Sequence, residues 1–228
     1  MFRIKICGLT NLEDALHAAA CGADALGLNF YPRSSRFLEV SQAAEIAAAV
    51  RSPFPAVELV GVGVNAALEE VQRISAAVPL NAWQLHGDEP PEFLNELARQ
   101  SPQLRLIRAF RCRNADLVQE SNYLRACQEL GRLPEAVLLD AYDPSAYGGT
   151  GKVVDWNAVR EQREQLFNLP LILAGGLTAE NVAAAIQASL ADAVDVASGV
   201  EASPGKKDPA KVKEFTAQAK RAFQNRSQ

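Results

Sequence analysis

The chain has 228 residues, 48% of them hydrophobic and 22% charged, with a formal net charge of −4. That is a globular composition with apolar mass for one full core, and its acidic balance excludes a general attraction to nucleic acid or anionic lipid. No apolar run approaches the ~20 residues that span a bilayer, so no membrane partner is expected.

Met1-Phe2-Arg3-Ile4-Lys5-Ile6 runs straight into a strand pattern with charges inside it, so no secretory leader is expected. Strands are predicted over 3–7, 25–30, 58–64, 82–86, 105–110, 136–140, 169–174 and 193–198. Their starts fall about 22 to 34 residues apart, the length of a repeated strand–helix unit. Between them, Asn11 is expected to cap the first helix, which Cys21-Gly22 closes. Ser41 is expected to open 42–50, Asn65 to open 66–77 and Thr178 to open 179–189. Pro79, Pro134 and Pro170 stand at or just before strands, where a missing N–H is tolerated. Runs such as Val137-Leu138-Leu139 suit strands buried on both faces of a parallel sheet. No linker divides the chain, so the fold expected is one α/β domain, a (β/α)₈ TIM barrel over residues 1–228. Cys7, Cys21, Cys112 and Cys127 show no CxxC or metal-ligand spacing, which points to thiols in a reducing, cytoplasmic setting.

In such a barrel, chemistry gathers at the C-terminal ends of the strands. Ala174-Gly175-Gly176-Leu177 and Ala197-Ser198-Gly199-Val200 follow the last two strands, where bare amides at Gly175, Gly176, Ser198 and Gly199 suit a phosphate. Two tight turns would carry the same glycines without any ligand. Gly148-Gly149-Thr150-Gly151-Lys152 is no P-loop, because Val153 stands where Ser or Thr must hold magnesium; it reads as a loop that covers the ligand.

Cys7 ends the first strand and would point into the mouth, where a thiolate takes a proton from carbon; most buried cysteines are inert. Asp140 ends the very apolar sixth strand. A carboxyl there either pairs with a cation or is kept protonated as a donor. A base and an acid flanking one small substrate suggest isomerisation by proton transfer. Arg36, in Tyr31-Pro32-Arg33-Ser34-Ser35-Arg36, is either a carboxylate grip or a solvated loop charge. His86, at the end of the fourth strand, borders the same mouth, though a lone histidine is more often a structural donor; His17 reads as structural.

These residues form an ordered set. Lys5-Ile6-Cys7-Gly8-Leu9-Thr10, Ser34-Ser35-Arg36, Gln84-Leu85-His86-Gly87, Leu138-Leu139-Asp140, Gly148-Gly149-Thr150-Gly151, Ala174-Gly175-Gly176-Leu177, Ser198-Gly199-Val200-Glu201 and Pro204-Gly205-Lys206-Lys207-Asp208 together resemble the phosphoribosylanthranilate isomerase family of tryptophan biosynthesis. The resemblance covers nearly the whole chain. It implies an Amadori rearrangement of N-(5-phosphoribosyl)anthranilate, with Asp140 as general acid and Cys7 as general base. It further implies Arg36 on the anthranilate carboxylate, His86 at the substrate, the glycine loops on the phosphate, and no metal or organic cofactor. Ser35, Gly63 and Ala197 depart from the family's frequent Pro, aromatic and Ser. A histidine-pathway isomerase would use two aspartates. A non-catalytic phosphosugar binder would need neither Cys7 nor Asp140. With no apolar stripe on the helix faces and no fused synthase domain, a monofunctional monomer is expected.

Overall fold

The computed structural model describes residues 1–112, 116–141 and 155–226. Eight parallel strands close in chain order: β1 (Ile4–Cys7), β2 (Ala25–Asn29), β3 (Glu58–Gly63), β4 (Ala82–Leu85), β5 (Arg105–Cys112), β6 (Ala136–Ala141), β7 (Leu171–Leu173) and β8 (Ala193–Val196). β8 returns to β1 with Asp195 opposite Lys5, which makes the sheet a barrel. The expected (β/α)₈ architecture is the one observed.

Around the barrel run α1 (Leu12–Ala20), α2 (Val40–Arg51), α3 (Leu68–Ala77), α4 (Pro91–Gln100), α5 (Val118–Glu129), α6 (Trp156–Glu161), α7 (Val182–Ser189) and α8 (Pro209–Arg226). Asn11 caps α1 as expected, its side chain accepting from the Asp14 amide. Three caps fall elsewhere. α2 starts after Glu39, whose carboxylate and Gln42 form a reciprocal box, so Ser41 lies inside the helix. Asn65 adopts a left-handed conformation (φ 51°) at the end of β3, and α3 begins only after Ala67. Asn65 instead accepts the Asp88 amide in the next loop at 2.7 Å. Asn181, not Thr178, precedes α7, and its Oδ1 accepts the Thr178 amide.

A short antiparallel hairpin, β9 (Glu201–Ser203) with β10 (Lys206–Lys207), follows β8 and was not expected as strands. The four cysteines are free thiols. Among the described residues no helix is long and apolar enough to cross a membrane.

Strand alternation sorts side chains into two cores. The outer one packs helices on the sheet and includes Ile4, Ile6, Trp83, Leu85, Val137, Leu139, Val194 and Val196. The inner one fills the barrel with Phe2, Ala25, Val60, Ala82, Ile107, Ala109, Ala136, Leu138, Ile172, Ala174 and Ala193. Period two then turns Lys5 and Cys7, Gln84 and His86, Asp140, and Asp195 inward on their own strands. Six of the eleven inner residues are alanine, and that small lining leaves room for a long cation among them.

Lys5 is that cation. It is fully buried, and its Nζ donates to Asp195 Oδ2 and to Gln84 Oε1, each at 3.0 Å. Stripping one partner from a buried ion pair leaves a charge without water or counter-ion, which costs about 3–5 kcal/mol. Asp195→Ala should therefore lower the urea-unfolding free energy by about that amount. A loss below about 1 kcal/mol, the range of an exposed pair, would mean the Lys5 charge finds other compensation.

Candidate active site

Cys7 is the last residue of β1, and its thiol fills space that only a glycine leaves. A Cβ on Gly27 of the adjacent strand would lie 2.6 Å from the Cys7 sulfur. Burial pushes the thiol above its ordinary range; the Lys5 and Lys207 ammoniums pull it back, and Asp195 adds to the rise. Burial lowers Lys5 in turn, but Asp195 and Cys7 beside it more than restore the ammonium. The unliganded site thus holds a thiol among cations, with a net push toward the protonated form.

Arg36 stands on the β2–α2 loop, which Asn29 organises by accepting the Tyr31 amide and donating to Ser34 Oγ. Ser34 Oγ accepts the Arg36 amide in turn. The aliphatic stem of Arg36 lies over Gly8, where a Cβ would meet its Cδ at 2.3 Å. It is no solvated charge: Nε and Nη2 form a two-pronged pair with Glu201, both at 2.7 Å. Lys207 Nζ, almost fully buried, donates to the same carboxylate at 2.9 Å, to the Cys7 carbonyl at 2.6 Å and to the Ala197 carbonyl at 3.2 Å. Burial opposes the Glu201 charge, yet Arg36 and Lys207 hold it below the usual carboxylate range. The β9–β10 hairpin therefore clasps the loops of β1, β2 and β8 together, and leaves Arg36 Nη1 as the edge Glu201 does not use.

Asp140, the penultimate residue of β6, is half-buried, with its Oδ2 3.4 Å from His86 Nε2. The side chain that meets this carboxyl is a histidine, not a lysine or arginine. His86 Nδ1 lies 2.9 Å from Gln84 Nε2. The loop that carries His86 is fixed from outside the barrel by a buried pair, Arg108 Nη1 to Glu89 Oε2 at 2.8 Å. Glu89 also accepts the Asn65 and Gly87 amides, and Arg108 donates to the Leu85 and Gly87 carbonyls.

Between Cys7 and Asp140, on the shorter arc of the ring, stand β7 and β8 with their glycine loops. Gly175 and Gly176 both have positive φ (80° and 65°), which turns their amides where L-residues are strained. Asn181 Nδ2 pins the Gly176 carbonyl at 2.9 Å. A Cβ on Gly199 would lie 1.8 Å from the Leu177 carbonyl oxygen, so the two loops touch backbone to backbone. Among the described residues the Gly175 and Gly176 amides have no acceptor within the chain. Cys7, Asp140 and the two glycine loops thus share one rim, with Arg36 on the far side of Cys7.

Sequence reasoning missed Lys5, Gln84, Asp195, Glu201 and Lys207. The first three carry a faint signal, a single polar residue at an inward position of an otherwise apolar strand. Glu201 and Lys207 stand in the motifs that carry the resemblance, but nothing local gives their roles, which depend on a hairpin folding back over β1. Gly63 is not a gap in the pocket wall: its bare Cα receives the Trp83 ring, 2.6 Å from where a Cβ would stand. Gly148–Lys152, expected to cover the ligand, lies outside the described residues. A cavity of about 750 Å³ opens between the β4–α4 and β5–α5 loops, beside Glu89, Arg108 and Tyr123. It holds neither Cys7 nor Asp140, and Arg108 in its wall is already paired with Glu89. Among the described residues no group of three or more His, Cys, Asp or Glu is set to hold a metal.

Residues 4–218 match the family described as N-(5'phosphoribosyl)anthranilate (PRA) isomerase. The N-(5'-phosphoribosyl)anthranilate isomerase of Neisseria gonorrhoeae is 46% identical over 219 residues, 96% of this chain and 97% of that one. The crystal structure of phosphoribosyl anthranilate isomerase from Thermotoga maritima superposes with a TM-score of 0.83 at 42% identity, covering 96% and 99% of the two chains. A phosphoribosyl anthranilate isomerase solved with reduced 1-(o-carboxyphenylamino)-1-deoxyribulose 5-phosphate superposes with a TM-score of 0.79 at 38% identity, over 96% and 99%.

The backbone contact at Gly199 makes the rim testable without a substrate. Inorganic phosphate should raise the Tm of the wild-type protein by mass action on the folded state. In Gly199→Ala the two loops must part, and that rise should disappear. A folded variant whose Tm still climbs with phosphate would remove the cradle from these loops.

Proposed function

The chain belongs to the N-(5'-phosphoribosyl)anthranilate isomerase family, and from that premise we propose how its own residues carry the reaction. The substrate is N-(5'-phosphoribosyl)anthranilate and the product 1-(2-carboxyphenylamino)-1-deoxyribulose 5-phosphate, an aldose-to-ketose Amadori rearrangement of tryptophan biosynthesis. One observation carries the assignment: an inward thiol on β1 and an inward carboxyl on β6 bracket the glycine loops of β7 and β8.

The phosphate seats on the amides of Gly175, Gly176, Ser198 and Gly199. Arg36, held by Glu201 along one edge, offers Nη1 to the anthranilate carboxylate. Asp140 gives its proton to the ribose ring oxygen while the C1–O bond breaks, and the anthranilate nitrogen supplies the electron pair that makes the C1=N iminium. Cys7, as thiolate, then takes the C2 proton. The C–H electron pair forms C1=C2 and returns the iminium electrons to nitrogen, giving an enolamine that tautomerises to the ketone. No electrons leave the substrate, so the chemistry needs no redox cofactor. His86 lies beside the acid and borders the same substrate.

The setting is a cytoplasmic monomer acting on a small molecule. The exposed large apolar side chains of the described residues, Met1, Leu12, Val118, Leu130 and Leu190, stand at the chain start and at the ends of α1, α5 and α7 rather than in one stripe.

Following the fluorescence of the anthranilate-linked substrate, Cys7→Ala and Asp140→Asn should each lower kcat by about 10²–10⁴, the usual worth of a positioned proton-transfer group. Near-normal turnover in either variant removes that residue from the mechanism. The raised thiol sets the sign of the pH dependence. The thiolate is the reactive form and is the minority species at neutral pH, so the rate of Cys7 alkylation by iodoacetamide should climb with pH from 6 toward 9. A rate that is flat across that range would mean that the thiol is already ionised. Arg36→Met should chiefly raise KM, because a carboxylate remote from the reacting carbons is held in ground and transition states alike. An unchanged KM would confine Arg36 to its structural pair with Glu201.

A further inference from the structure

We propose that Lys5 and Gln84 are positioning residues that set the tautomer of His86, so that its Nε2–H faces Asp140. The argument is one of polarity. The Lys5 ammonium can only donate, and it is sealed inside the barrel with Asp195 Oδ2 and Gln84 Oε1 as acceptors at 3.0 Å. A flipped Gln84 amide would set its NH₂ against that ammonium, donor to donor, in the dry interior. Oε1 therefore faces Lys5, and Nε2 faces His86 Nδ1 at 2.9 Å. An amide NH₂ can only donate, so Nδ1 must present its lone pair. The neutral ring then carries its proton on Nε2, the atom 3.4 Å from Asp140 Oδ2.

The chain of contacts runs Asp195, Lys5, Gln84, His86, Asp140, and each link decides the orientation of the next. Its length of reach matters for the last step. At 3.4 Å the Nε2–H contact with Asp140 is long, and catalytic contacts of this kind tighten as charge develops. When Asp140 gives up its proton, the new carboxylate meets an N–H already aimed at it. The barrel interior thus supplies a donor at the moment the acid becomes a base, without any rotation of the ring.

This inference rests on the reading of Asp140 as the acid, and two independent measurements keep the two apart. The chain has two histidines, so imidazole ¹⁵N NMR of the full-length protein carrying His17→Gln reports His86 alone. The expected spectrum shows a protonated Nε2 and a bare Nδ1. A ring found as the Nδ1–H tautomer overturns the proposal outright, whatever Asp140 does.

Gln84→Glu keeps the shape and adds a charge that Lys5 welcomes, but it puts an acceptor beside Nδ1. Nδ1 must then carry a proton. Either Nε2 loses its own and Asp140 loses its donor, or the ring becomes cationic and pins Asp140 as carboxylate. Both outcomes should lower kcat about 10- to 100-fold, the worth of a hydrogen bond to a charged group. KM should change by less than about threefold, since the ground-state grip on substrate is elsewhere. A switched tautomer with unchanged kcat overturns the positioning role. If Asp140→Asn itself retains kcat, the acid reading fails, and the service of His86 to it fails for that separate reason.

Discussion

The interior of this barrel is organised around one positive charge that has no access to water. A lysine placed inward on β1 commits the surrounding strands to answer it: β8 with a carboxylate, β4 with an amide oxygen, and the rest of the lining with apolar side chains, alanine at six of eleven positions. Burying an ammonium is expensive unless its protons are all received. Lys5 also acts on function through field. It stands two residues below Cys7 on the same face of β1 and eases the ionisation that burial of the thiol resists. Stability and reactivity are thus drawn from a single side chain.

The rim above this layer is assembled from loops that hold one another rather than from rigid elements alone. Arg36 comes from β2, Glu201 and Lys207 from the hairpin after β8, and the carbonyl that Lys207 caps is that of Cys7 itself. Glu89 and Arg108 do the equivalent work for the loop of His86 from outside the barrel wall. In each case a buried carboxylate is bound by an arginine, with a fixed geometry that a single lysine contact would not impose.

How much of this was legible follows from what a strand pattern encodes. Cys7 and Asp140 could be singled out because each stands at the C-terminal end of an apolar strand, where barrel chemistry lies. The eight-fold repeat was visible for the same reason, as was the outline of the glycine loops. Lys5, Gln84 and Asp195 sit in equally clear strands, yet their meaning lies in which strands face each other across the interior. Period two says that a side chain points inward, not what it meets there. Asn65 has the chemistry of a cap but accepts the Asp88 amide of a neighbouring loop instead, and Asn181 takes the position before α7 that Thr178 was expected to hold. The Arg36–Glu201 pair joins positions 165 residues apart and leaves no local trace.

The pairing of Lys5 with Asp195 has a consequence for how the protein comes into being. The two are separated by 190 residues of chain, and β8 is the last barrel strand to leave the ribosome. Until it emerges, the first strand carries a cation whose counter-ion does not yet exist. Any early cluster of strand–helix units must keep that end open to water, since closing it would strand the charge. Non-local pairings of this kind are slow to form. Barrel closure therefore waits on the end of translation, and a nascent chain cut short before position 195 has a fully solvated Lys5 as its more stable arrangement.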